Sequence, residues 1–121
     1  MKKLLLLVTL VCLMGCANLE QNAYRTIGTT AVLVDGAMNG WGDYVRNVKA
    51  DGSVDASADL AKQELFVREA YSRYQKAMAA AAEVVRKYKA GEVSSGGLDL
   101  ALQVVEATQF ELVELVRYYE R

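Results

Sequence analysis

Three stretches of the chain carry apolar side chains at intervals of three and four. In the first, Ile27, Val34, Trp41 and Val48 recur every seven residues, with Thr30/Ala31, Ala37/Met38 and Tyr44/Val45 between them. In the second, Leu60, Val67, Tyr74, Ala81 and Tyr88 recur, with Ala70/Tyr71, Ala77/Met78 and Val84/Val85 between. In the third, Leu98, Val105, Leu112 and Tyr119 recur, with Ala101/Leu102 and Leu115/Val116 between. A helix turns once in about 3.6 residues, so each set forms one wide apolar face. No stretch alternates with period two for long enough to make a strand. The pattern predicts helices over about 18–49, 57–89 and 98–119.

The breaks between these stretches are readable. Asp51-Gly52-Ser53 is a turn signal, and Asp55 or Ser57 is placed to cap the second helix. Gly91 fits the position just past the end of the second helix, whose last turn carries Arg86, Lys87 and Lys89 near the negative helix end. Ser94, Ser95, Gly96 and Gly97 form the second break, and the third helix has acids early and Arg117 and Arg121 late. Short connections make neighbouring helices antiparallel. The fold expected is all-α: an antiparallel up-down-up three-helix bundle with long first and second helices, after a cleaved signal segment. Charge agrees with that pairing, because residues 57–90 carry a net +3 and residues 92–121 a net −4. The third helix is the shortest. One end of the long pair is therefore expected to be uncovered, leaving room for a partner chain or for fraying near a membrane.

The first sixteen residues have a different pattern. Lys2 and Lys3 precede an apolar run from Leu4 to Met14, interrupted only by Thr9. As a helix this run spans roughly 16 Å, about half of a bilayer core. That is too short for a permanent span and fits a secretory signal. The run ends in Leu13-Met14-Gly15-Cys16. This resembles the lipobox of bacterial lipoproteins, in Leu13 at −3, the small Gly15 at −1 and Cys16 at +1; Met14 departs from the usual small or β-branched residue at −2. The resemblance implies cleavage between Gly15 and Cys16, a diacylglycerol on the Cys16 sulfur and a further acyl chain on its new amino group. A plain signal peptide followed by a chance cysteine is the competing reading. Ala17 in place of aspartate implies, in a Gram-negative host, the periplasmic face of the outer membrane. In another host the lipid anchor implies the outer face of the cytoplasmic membrane.

This division changes the composition. The whole chain is 53% hydrophobic and 24% charged, with a formal net charge of −1. Removing residues 1–15 from 121 leaves a chain of 106 residues. Lys2 and Lys3 leave with the signal, so 12 positive side chains face 15 negative ones, a net of −3. Neither balance carries a nucleic-acid footprint. Cys12 is discarded and Cys16 is acylated under this reading, so no disulfide forms and the domain relies on its core. The absence of histidine removes histidine-based acid–base catalysis and histidine-ligated metal sites. No nucleophile–base constellation or metal cluster stands out, and Glu106 and Glu111 suit a solvated helix face. The chain is expected to be non-enzymatic, with no catalytic residue, metal or cofactor.

Gly28, Gly36, Gly40 and Gly42 fall within the first helix. Each exposed interior glycine costs about 0.8–1.0 kcal/mol relative to alanine. Gly36 and Gly40 have the small-xxx-small spacing that lets another helix approach closely. Three explanations stand: packing within the bundle beside Trp41 and Tyr44, contact with a second copy, or a kink. Asp51, Ser53, Asp55, Ser57 and Asp59 imitate alternate ligands of a calcium loop, but Ala56 replaces the required glycine and Lys62 the required glutamate. The seven tyrosines and Trp41 fall mostly on or beside the heptad faces, which assigns them to the core. Tyr118 and Tyr119 are the best placed for an exposed glycan platform. Arg68, Arg73, Lys76, Arg86, Lys87 and Lys89 are interrupted by Glu64, Glu69 and Glu83, as on a solvated face laced with ion pairs.

The terminal Arg121 departs from the helical murein lipoproteins, which end in a lysine joined to peptidoglycan. The segments from Ala23 to Val45 and from Tyr71 to Met78 loosely resemble small helical proteins of phage and prophage regions, a likeness that assigns no functional residue. The function expected is a membrane-anchored structural or protein-interaction module of the cell envelope, contacting an envelope protein or the cell wall and able to form a homo-oligomer. The alternative is a prophage-type regulatory lipoprotein that blocks an envelope receptor or lytic enzyme.

Overall fold

The structure is a computed structural model that describes the backbone of residues 2–52 and 54–121, and the side chains of residues 19–52 and 58–121. Three helices succeed one another: α1 (Lys2–Asp51), α2 (Val54–Lys89) and α3 (Ser95–Glu120). They pack as an all-α three-helix bundle. The heptad positions read from the sequence make its interior. Val34, Trp41, Leu60, Val67, Tyr74, Ala81, Val105 and Leu112 belong to one buried cluster. A second, smaller cluster joins Ala23, Val85, Leu98 and Leu102, with Leu19, Ile27 and Tyr88 packed against it. Packing is most extensive between α2 and α3, and α1 leans more on α3 than on α2.

The helix ends differ in detail from the sequence expectation. α1 ends at Asp51, Gly52 follows at φ +70°, and α2 begins at Val54. Because α2 begins at Val54, the backbone of Asp55 and Ser57, the expected caps, lies within the helix; their side chains lie outside the described residues. The end of α2 is as expected. Gly91 adopts φ +76°, its N–H donates to the Tyr88 carbonyl at 3.1 Å, and the Glu92 N–H donates to the Lys87 carbonyl at 2.9 Å. This closed pair of bonds satisfies two carbonyls that a helix end leaves open.

The third helix starts earlier than its apolar pattern. Ser94 is its cap, accepting the Gly97 N–H at 3.2 Å, and Gly96 and Gly97 form the first turn. A Cβ on Gly97 would stand 2.6 Å from Val93 Cγ1, so glycine is what lets the linker fold back on the helix start. The earlier start leaves no acid in the first turn of α3, contrary to the expected acidic start.

Charge contributes less to the helix pairing than the opposite net charges of α2 and α3 suggest. Among the described residues one ion pair joins them, Arg73 to Glu111 at 2.5 Å. Two others tie α1 to α2: Lys89 to Glu20 at 3.1 Å and Lys49 to Glu64 at 3.8 Å. All involve exposed or half-exposed groups, where a pair adds at most about 1 kcal/mol. Apolar burial therefore dominates the association.

The buried Tyr74 carries one pH signature. Burial raises its phenol above the ordinary tyrosine value, with Thr30 opposing and Asp35 and Tyr71 adding to the shift. The folded state therefore prefers the neutral ring. This contribution is intact below about pH 10 and is lost as pH rises through the raised value. Tyr74→Phe should flatten the fall in thermal midpoint above about pH 10. An unchanged slope would show that other groups cause the alkaline loss.

Candidate functional site

Two regions of the bundle are candidates: the end next to Cys16, and the outer face of α1 with its groove against α3. Gly15 and Cys16, the expected cleavage and lipidation positions, lie outside the described residues as far as side chains are concerned. Leu19 and Ala23, the one packed against the smaller core cluster and the other within it, lie three and seven residues after Cys16. Here the Lys89 ammonium lies 4.8 Å from the centre of the Tyr24 ring and 3.1 Å from Glu20 Oε1. The Tyr24 hydroxyl and then the Glu20 carboxylate hold Lys89 above its ordinary value. The end of α2 is thereby clasped to α1 at the level where an anchor on Cys16 would begin.

The opposite end is the uncovered one. The Trp41 ring packs against Tyr119 at a centroid distance of 6.0 Å and against Tyr44 at 5.3 Å. The last residues of α3 therefore lie level with Trp41. Among the described residues, those of α1 from about Val45 and of α2 up to about Gln63 continue past the end of α3. The open end expected for a partner chain or for fraying is thus found, among the described residues, at the α1–α2 hairpin. Within this pair, the Tyr44 hydroxyl donates to Gln63 Oε1 at 3.2 Å.

The three expected packing residues separate. Trp41 is in the core, 7% exposed. Gly36 lies toward the surface and a Cβ placed on it meets nothing within 4 Å, so crowding beside Trp41 does not explain it. A Cβ on Gly40 would stand 3.2 Å from Glu120 Oε1, the flexible end of a side chain of α3. Gly28 also faces open space. α1 is one uninterrupted helix through all four glycines, so no break in it calls for them. Gly36→Ala should therefore raise bundle stability by about 0.8–1.0 kcal/mol, the helix-propensity gain, measured by denaturant unfolding of dilute protein. A loss of stability would show that the bundle itself needs the glycine.

Next to these glycines runs a groove between α1 and α3. Arg25, Thr29, Leu33, Gln103, Glu106 and Phe110 line its wider part, which holds about 720 Å³. Val32, Gly36, Gly40, Val113, Arg117 and Glu120 line its continuation. Val32 is 72% exposed and Phe110 66%. The heptad pattern did not reveal this surface, because it selects the face of α1 turned the other way.

The remaining motifs resolve more simply. Tyr71, Tyr74, Tyr44 and Tyr119 belong to the core or pack against it, whereas Tyr118 is exposed and meets Tyr119 edge-on at 5.7 Å. The exposed aromatics Tyr24, Phe66, Phe110 and Tyr118 are spread over three helices. In the basic stripe, Arg86 pairs with Glu83 on its own helix, and that hydrogen bond holds the Glu83 carboxyl below its ordinary value. Among the described residues, no group of three or more acidic, cysteine or histidine side chains is gathered as a metal site. Among the same residues, no helix is long and apolar enough to cross a membrane. No family model, curated protein or solved structure matches the chain.

Proposed function

We propose that the chain is a lipid-anchored, non-enzymatic lipoprotein that serves as a structural or protein-interaction module of the bacterial cell envelope. The observation that carries this reading is the Leu13-Met14-Gly15-Cys16 sequence at the end of a short apolar run preceded by Lys2 and Lys3. The position of the bundle supports it. Cys16 lies three residues before Leu19, which packs against the smaller core cluster, so acyl chains there would hold this end of the domain close to the bilayer. The α1–α2 hairpin end lies farthest from Cys16 and is open to an envelope protein or the cell wall. In a Gram-negative host, Ala17 assigns the chain to the periplasmic face of the outer membrane.

Mass spectrometry of the amino-terminal peptide from membrane-extracted protein tests the reading. The expected peptide begins at Cys16 and carries a diacylglycerol and an amide-linked acyl chain. A peptide beginning at Met1, or an unmodified Cys16, would overturn it.

A further inference from the structure

The outer face of α1 is self-complementary. Arg25, Thr29, Val32, Gly36, Asn39 and Asp43 succeed one another at spacings of four and three, so they form a single seam. None of the six is buried. Reversing the helix about a point beside residue 34 places Arg25 opposite Asp43, Thr29 opposite Asn39 and Val32 opposite Gly36. Each pair is chemically matched: cation with anion, hydroxyl with amide, and a branched apolar side chain with a bare backbone notch. A surface of this kind is what a two-fold symmetric contact requires, since the same patch serves both partners.

We propose that α1 pairs with α1 of a second copy of this chain, antiparallel, along this seam. Charge fixes the direction. Among the described residues Arg25 makes no ion pair within its own bundle, although Glu106 lies along the same groove. In the antiparallel register Arg25 of one copy reaches Asp43 of the other, with the Glu120 carboxylate nearby over Gly40. Asp43 also holds Arg46 on its own helix through Oδ1, and both groups are largely exposed and free to rearrange. A parallel register would instead set Arg25 against Arg25 and Asp43 against Asp43.

The apolar surface agrees with this choice. Val32 is the most exposed large apolar side chain described, and Leu33 and Phe110 flank the seam along the groove. A second α1 laid on this face covers all three. The glycines then have a role that the isolated bundle does not give them, because Gly36 receives Val32 of the partner. One helix pair buries less than the roughly 1,200 Å² of a standard specific interface, so the contact is weak and favoured by crowding on a surface. The pairing does not depend on lipidation. If both copies are anchored in one bilayer, their amino-terminal ends point in opposite directions and the pair lies along the membrane.

Disulfide trapping in cells producing the full chain tests the register. Thr29→Cys and Asn39→Cys variants, carrying different tags, are produced together and exposed to a mild oxidant. The expected result is a covalent dimer containing both tags. Each variant produced alone should give none, because equivalent positions lie about 15 Å apart along the antiparallel pair. The unsubstituted chain, with Cys12 and Cys16 only, sets the background. Arg25→Asp or Asp43→Arg added to both copies should abolish the mixed dimer, and the two together should restore it. Circular dichroism on each variant confirms that the helices persist. No mixed dimer above background, or trapping by either variant alone, overturns the proposal.

Discussion

Trp41→Ala should destabilise the bundle by about 3–5 kcal/mol, the cost of emptying a large buried aromatic site. The ring is 7% exposed and sits where all three helices meet. It touches Tyr44 on its own helix and Tyr119 on α3. Met38, Glu64, Val67, Arg68 and Tyr71 border the adjacent cleft between α1 and α2. Alanine removes the aromatic contacts, and the cavity cannot close without shifting rigid helices. Because small domains are stable by only about 5–15 kcal/mol, the loss is a large share of the total. Trp41 is the only tryptophan, so unfolding should be monitored by far-ultraviolet circular dichroism rather than fluorescence. Val32→Ala on the outer face is the control and should change the monomer by no more than about 0.5 kcal/mol. Equal effects at the two positions would mean that Trp41 is not a packing centre.

The contrast between these positions shows which features the sequence made legible. Seven-residue recurrence of Val34, Trp41, Leu60, Val67, Val105 and Leu112 reports burial directly, because a side chain every second turn returns to the same face. The Gly91 terminus was equally legible, since a left-handed residue after three basic positions has few alternatives. The start of α3 was not. Ser94, Ser95, Gly96 and Gly97 all favour a break, and only the fold-back of Val93 over Gly97 shows that the last three belong to the helix. The vertical register of α3 was also hidden, because it depends on the geometry of that linker. This is why the uncovered end lies by the α1–α2 hairpin and not beside residue 16. The outer seam of α1 was written in the sequence from Arg25 to Asp43, but a search for apolar periodicity reads only the opposite face. The lipobox-like Leu13-Met14-Gly15-Cys16 run is legible in the sequence alone.

Cys16→Ala should abolish incorporation of labelled fatty acid and free the chain from the membrane. Each acyl CH₂ buried in the bilayer contributes about 0.8 kcal/mol, so one chain binds marginally while two or more hold a protein durably. No other feature of the sequence offers comparable affinity. The apolar run of residues 4–14 spans about half the hydrocarbon core and cannot replace an anchor as a stable span. The domain after Cys16 has a net charge of −3, which gives no electrostatic attraction to anionic lipid. Among the described residues, exposed apolar side chains such as Val32, Phe66 and Phe110 are divided among α1, α2 and α3. Fractionation after a high-salt wash, with fatty-acid labelling of the same sample, separates the contributions. Cys16→Ser should behave as Cys16→Ala, because the diacylglycerol is carried on the thiol. Continued labelling of either variant would place the lipid elsewhere or remove it from the account. Unchanged membrane attachment without label would show that the apolar segment, rather than an acylated cysteine, holds the protein.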